Sequence, residues 1–193
     1  VTASYATTMH RLTGGRFSLG LGRGIDVMFQ AYGIPKITTR SMEEFASLMR
    51  RLWTEELVDF DGRWHSVRQA GIAPLPVQRP IPVWMGGVVD AVLQRAARIA
   101  DGWFPQFQPG PRATATVERL HGYLREAGRT PASFGIEGRI SLYNTPEGDW
   151  AAALEGWRNL GATHVSVNTM NVGLASPQAH IDAITRFMEE AKF

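Results

Sequence analysis

Phe17, Leu19 and Leu21 alternate with small residues in Arg16-Phe17-Ser18-Leu19-Gly20-Leu21-Gly22-Arg23-Gly24, a pattern that predicts a buried strand ending in a glycine-rich turn. Ile81-Pro82-Val83-Trp84-Met85-Gly86-Gly87 repeats the arrangement: an apolar run, a glycine pair, then a helical pattern. Between them, Ser41 and Glu44 have the spacing of a capping box. Met42, Phe45, Leu48, Met49, Leu52 and Trp53 then recur every three or four residues, which predicts one helix with a single buried stripe. Val58-Asp59-Phe60-Asp61-Gly62-Arg63-Trp64-His65 alternates around Asp-Gly and predicts a surface hairpin near 57–67, beside the two strand ends.

The flanking segments follow the same rhythm. Residues 4–12 read as a helix ended by Gly14-Gly15, and Val1-Thr2-Ala3 as the end of a strand. With no methionine at position 1, that reading suggests a processed, truncated or partly recorded chain. A loop is expected through Tyr32-Gly33-Ile34-Pro35, and an extended proline-rich run over 74–82. Asp90 is placed to cap a helix carrying Val92, Leu93, Ala96, Ala97 and Ile99. Strands are expected at 102–105, 136–143 and 163–167, and helices at 112–127 and 149–160. Ser176-Pro177 opens a last helix carrying Ile181, Ile184, Phe187 and Met188. Strands alternating with helices imply parallel pairing and right-handed crossovers. A (β/α)8 barrel and a doubly wound sheet both satisfy this order. Eight barrel repeats take about 250 residues, so on the barrel reading roughly the first three strands are missing.

Composition narrows the function classes. At 193 residues, 44% hydrophobic and 20% charged, the chain fits one globular domain with a real core. A formal charge of +2 with scattered basic residues gives no support to nucleic acid or a membrane surface as partner. The absence of cysteine removes disulfide frames and zinc–thiolate sites. No apolar run approaches the roughly 20 residues of a membrane span, and residues 1–5 lack the zones of a signal peptide. A cytoplasmic setting is the default expectation.

Three segments together resemble the luciferase-like family of flavin- and deazaflavin-dependent oxidoreductases. They are Gly15 to Gly24, Pro74-Leu75-Pro76-Val77-Gln78-Arg79-Pro80-Ile81-Pro82-Val83-Trp84-Met85-Gly86-Gly87, and Arg95-Ala96-Ala97-Arg98-Ile99-Ala100-Asp101-Gly102-Trp103. Leu52-Trp53-Thr54-Glu55 with Phe60-Asp61-Gly62 is also similar to that family. Gly-Leu-Gly-Arg-Gly followed by Tyr-Gly-Ile-Pro looks most like the branch using coenzyme F-420, a deazaflavin, rather than FMN. The resemblance implies one partial TIM-barrel domain over 1–193, from the end of strand three to helix eight, with 17–22 as strand four. It also implies that strands before this chain supply many residues around the reactive ring.

The candidate cofactor-binding residues are Gly22, Arg23 and Gly24 after the first strand and Met85, Gly86, Gly87 and Val88 after the second. Backbone N–H groups at a glycine turn before a helix favour a phosphate. Alone, Gly-Gly is more often just a tight turn; the resemblance reverses those odds. Similar proteins place an arginine after this strand near the flavin phosphate, while the plain alternative for Arg23 is a surface ion pair. Some sugar-phosphate dehydrogenases of the family carry a glutamate acid where this chain has Ile25, and Asp26 cannot be assumed to replace it.

Trp84, Trp103 and Phe104 could line a ring pocket, although core packing is the commoner role. His65, in the hairpin, is expected to be solvated, and His164 opens a strand on the face away from chemistry. His10, His121 and His180 are expected on helix surfaces. The sequence names no catalytic acid or base, no metal-ligand cluster and no nucleophile elbow. The reading is an oxidoreductase moving hydride between F-420 and a small organic substrate. The alternatives are an FMN-dependent monooxygenase and a non-catalytic flavin-binding or assembly protein. A homo-oligomer, most simply a dimer, would shield the unpaired edges of an incomplete parallel sheet.

Overall fold

Residues 1–33 and 38–191 are described in a computed structural model; Ile34 and Pro35 of the expected loop lie outside them. The chain divides into two units, Val1–Met85 and Gly86–Phe193.

In the first unit, helix α1 (Thr2–Leu12), strand β1 (Leu19–Leu21) and helix α2 (Asp26–Ala31) are followed by α3 (Thr39–Thr54). A hairpin of β2 (Val58–Asp61) and β3 (Ser66–Ala70) leads on to β4 (Val83–Gly86). β1 and β4 pair in parallel, with Leu19 opposite Val83 and Leu21 opposite Met85. The predicted stripe of α3 forms the core: Met49 and Trp53 are buried against Ala3, Ala6, Ile81 and Val83, and Phe45 and Leu52 close the edges. Trp53 satisfies its indole by donating to the Ala3 carbonyl at 3.1 Å.

That packing overturns the strand expected at Val1-Thr2-Ala3. The chain is already helical at Thr2, because the small residues Ala3 and Ala6 form the surface on which Trp53 and Met49 sit. His10, expected at the surface, is fully buried. Its Nδ1–H donates to the Phe17 carbonyl at 3.0 Å and its Nε2 accepts from the Gln78 N–H at 3.1 Å. A carbonyl can only accept and an amide N–H can only donate, so the ring is the neutral Nδ1–H tautomer. α2 is a helix the sequence pattern did not announce, ending just before the loop expected from Tyr32, and β1 is shorter than the apolar run that announced it.

The capping box is also corrected. α3 begins before Ser41, and its cap is Thr38, whose Oγ1 accepts from the Ser41 N–H at 3.1 Å. Glu44 is thereby released for another task. Its carboxylate accepts the backbone N–H groups of Arg63 (2.7 Å), Trp64 (2.9 Å) and His65 (2.7 Å), and bonds His65 Nδ1 at 2.8 Å. The hairpin therefore turns through 62–65 around a carboxylate rather than tightly at Asp61-Gly62. His65, expected to be solvated, is half-buried and packs its ring 5.5 Å from that of Phe45.

In the second unit, α4 (Asp90–Ile99), β5 (Gly102–Phe104), α5 (Pro111–Glu126), β6 (Gly135–Ser141), α6 (Trp150–Asn159), β7 (His164–Asn168) and α7 (Pro177–Glu190) alternate as expected. β5, β6 and β7 are parallel, with Trp103 opposite Ile136 and Ser141 opposite Asn168. Ile140, Trp150, Leu154, Trp157 and Phe187 form the core between β6–β7 and the last two helices. A Cβ on Gly138 would lie 2.5 Å from Trp157 Cγ, so glycine there lets the indole lie directly on β6. Ser176 caps α7 as expected, its Oγ accepting from the Ala179 N–H at 3.2 Å. Of the apolar residues on that helix, Phe187 is buried, whereas Ile181, Ile184 and Met188 are exposed. Asp90 is the first residue of α4 rather than its cap; the cap position is Val89.

The Glu44 clip carries a pH dependence. Desolvation pushes its carboxyl up, but the His65 ring and the three backbone N–H groups outweigh that and hold it below the usual carboxylate range. A carboxyl depressed in the folded state stabilises above its unfolded value, near 4.5, and that stabilisation is lost as pH falls through the lower folded value. Amide exchange of Trp64 and His65 should therefore accelerate as pH is lowered below this range, after correction for intrinsic rates. In Glu44→Gln the exchange should already be fast at neutral pH and the pH step should be absent.

Candidate functional site

β4 delivers the chain to its second glycine pair. Val83, Trp84 and Met85 are buried, so Met85 offers a ligand only its main chain, while Gly86 is exposed and Val88 half-buried. Gly87 has φ +120°, and a Cβ there would stand 2.9 Å from Val92 Cγ1. Both the backbone and the space demand glycine. The Gly87 carbonyl accepts the Trp103 indole N–H at 2.7 Å. Because the peptide bond is trans, that contact turns the Val88 N–H to the opposite side.

α4 starts two residues later with no side-chain cap, and its first-turn N–H groups form the positive end of a ten-residue helix. One feature opposes an anion here: the Asp90 carboxylate, in the first turn. Arg119 Nη1 binds it at 2.9 Å and offsets its charge. The Val92 N–H already donates to the Val89 carbonyl at 2.9 Å, so the glycine turn, the amides from Val88 to Ala91 and an offset carboxylate are what fit a phosphate. They hold no group positioned for proton transfer.

The first unit's candidates form a looser set. A Cβ on Gly22 would meet nothing within 4 Å, whereas one on Gly24, at φ +79°, would stand 3.1 Å from the Phe29 ring. Arg23 reaches the Asp26 carboxylate only at 3.6 Å, with both side chains close to half exposed. The guanidinium keeps most of its donors free for a ligand. Ile25 occupies the cap position of α2 and is exposed.

Trp84 and Trp103 are buried as core residues, and Phe104 is half-buried. The hydrogen bond from Trp103 was missed in the sequence; the available signal was that a buried indole needs an acceptor. His164 stands exposed at the first residue of β7, bonded to Thr163 Oγ1 at 2.9 Å. His121 and His180, expected at the surface, are half-buried. Burial first and the Arg125 charge second push His121 below the ordinary histidine value. His180 Nδ1 lies 2.7 Å from Thr169 Oγ1.

The model of the luciferase-like monooxygenase family matches residues 1–191. An uncharacterized protein of Mycobacterium tuberculosis (strain ATCC 25618 / H37Rv) is 31% identical over 169 residues, covering 84% of this chain and 56% of its own length. An F-420-dependent glucose-6-phosphate dehydrogenase of Kineococcus radiotolerans is 29% identical over 164 residues, covering 82% of this chain and 48% of that protein. The chain thus spans about half the length of these curated relatives. Among solved structures, a monooxygenase from Streptomyces bottropensis superposes with TM-score 0.75 at 19% identity, covering 99% of this chain and 72% of that one. The F-420-dependent tetrahydromethanopterin reductase of Methanopyrus kandleri gives 0.63 at 17%, covering 98% and 70%. At those identities the likeness shows the fold: the luciferase-like TIM barrel, in place of the doubly wound alternative.

The two glycines should separate in stability. Gly87→Ala is expected to lower unfolding free energy by about 1–3 kcal/mol. In Gly86→Ala the new Cβ meets the Phe104 carbonyl at an ordinary 3.5 Å, and the change should stay within about 0.5 kcal/mol. Urea denaturation of the two variants checks this.

Proposed function

The chain belongs to the luciferase-like monooxygenase family, and from that premise we propose that it is an oxidoreductase that moves hydride between a bound deazaflavin, F-420, and a small organic substrate. The observation that carries the proposal is the turn at Gly86-Gly87, with its carbonyl drawn to Trp103 and the uncapped start of α4 behind it. There the N–H groups of Val88, Val89, Asp90 and Ala91 hold the cofactor's phosphate. Trp103 keeps the Gly87 carbonyl away from that anion, and Arg119 offsets Asp90. The F-420-dependent relative from Kineococcus and the Gly-Leu-Gly-Arg-Gly run favour the deazaflavin branch. When bound, the deazaflavin supplies two-electron hydride chemistry; the chain's part is binding and orientation. Arg23, on the first unit's loop, enters through the family resemblance and is tested by itself.

FMN also carries a phosphate, so the glycine turn accepts either cofactor, and titration decides between them. Fluorescence titration with F-420 and FMN side by side should show tight, preferential binding of F-420. Tighter FMN binding would replace this reading with the flavin monooxygenase one, and binding of neither would remove the cofactor site from this chain. Gly86→Val should weaken F-420 binding by at least about tenfold through loss of close backbone approach, with the fold intact by circular dichroism. Arg23→Gln should weaken it by roughly 3–10-fold. Asp90→Asn removes a charge of the wrong sign from the helix start and should tighten binding by about 2–5-fold at low salt, and less at high salt.

A further inference from the structure

Side chains of β6 and β7 divide between two faces. Ile140, Val165 and Val167 pack with Trp150, Leu154, Trp157 and Phe187, and Gly138 lies under Trp157. The helices therefore cover that face. By the two-residue period of a strand, Glu137, Arg139 and Ser141 on β6 and Ser166 and Asn168 on β7 share the opposite face. In a (β/α)8 fold this face is the barrel interior, normally filled by branched apolar residues. Here it is polar along its length.

The polar groups are arranged in order. Glu137 pairs with the Ser166 hydroxyl. One pleat nearer the C-terminal end, Arg139 Nη1 donates to Gln106 Oε1 at 2.9 Å, just past β5. The Arg139 carbonyl accepts from the Trp157 indole at 3.2 Å, which anchors the strand at this residue. Among the described residues no carboxylate lies within ion-pair distance of this guanidinium. Beyond it, Asn168 Oδ1 accepts the Met170 N–H at 3.0 Å, leaving the Asn168 amide hydrogens as donors beside the Ser141 hydroxyl. A half-exposed guanidinium with one of its five donors anchored on Gln106, and no described carboxylate within ion-pair distance although Glu137 stands one pleat away, has a fork to offer an anion.

We infer that this face binds a carboxylate or phosphate carried by the substrate, with Arg139 as the fork that grips it, Gln106 as the residue that aims the fork, and Asn168 and Ser141 as further donors. This deepens the oxidoreductase reading and rests on it for the word substrate; anion binding itself is tested independently. Isotope-labelled protein is titrated with inorganic phosphate, following the Arg139 Nε–H and Gln106 side-chain amide resonances by NMR, apart from the Val88 and Val89 amides. The Arg139 and Gln106 signals should shift saturably. Arg139→Gln should weaken that phase by at least about tenfold, while Arg139→Lys, which keeps charge but loses the fork, should weaken it several-fold. No saturable shift at tens of millimolar phosphate, or a phase unchanged in Arg139→Gln, overturns the site. F-420 affinity of Arg139→Gln, by fluorescence, should equal that of the parent protein. A loss of F-420 affinity would give the anion to the cofactor and overturn the assignment to substrate. If no cofactor binds, the functional reading fails and the phosphate titration alone still decides the anion site.

Discussion

The hydrogen bond from the Trp103 indole to the Gly87 carbonyl is the constraint on which the candidate cofactor turn depends. A fully buried indole N–H without an acceptor costs on the order of 1–3 kcal/mol, and here the acceptor is the carbonyl of the residue at φ +120°. Satisfying the tryptophan fixes the orientation of the Gly87–Val88 peptide plane, and Val92 fills the space that any side chain at 87 would need. Core packing and ligand geometry are thus one problem at this turn. The residue that sequence reading assigned to packing is also the one that aims the backbone.

The same economy recurs elsewhere. Trp53 donates to Ala3, Trp150 to Thr145 and Trp157 to Arg139, each onto a main-chain carbonyl. Each bond ties a large apolar body to one point of the backbone, so it sets register as well as filling volume. In the first unit this holds α1 against α3; in the second it lays α6 on β6 at the glycine cut for it. The hairpin of the first unit uses a carboxylate for a comparable purpose. Glu44 gathers three N–H groups that a four-residue turn would otherwise leave to water.

Periodicity made the architecture legible. The α3 stripe, the strand–helix alternation of the second unit, Ser176 as a cap and the glycine-stopped helices could be read because local pattern and tertiary packing agree there. The failures share a physical form. Ser41 and Glu44 satisfied the capping-box spacing, but Thr38 offered an earlier cap and the hairpin competed for the carboxylate. His10 lies in a polar-looking helix, and only the long-range partners Phe17 and Gln78 explain its burial. Ile181, Ile184 and Met188 follow a helical period, yet the helix turns Ala183 and Phe187 inward instead. The glycine pair was visible as a turn; its indole partner, sixteen residues on, was not.

Glycine and arginine mark opposite faces of β6, and the contrast says what each face is for. On the helix-covered face the strand gives up a side chain at Gly138 so that Trp157 can close the core without a gap. On the other face, one residue along, it carries a guanidinium where an apolar side chain would be the cheaper choice for stability. Packing accounts for the first and not for the second. A strand that minimises volume on one side and carries a half-exposed guanidinium on the other has its packing set by α6 and, on the proposed reading, its chemistry set by the anion that meets Arg139.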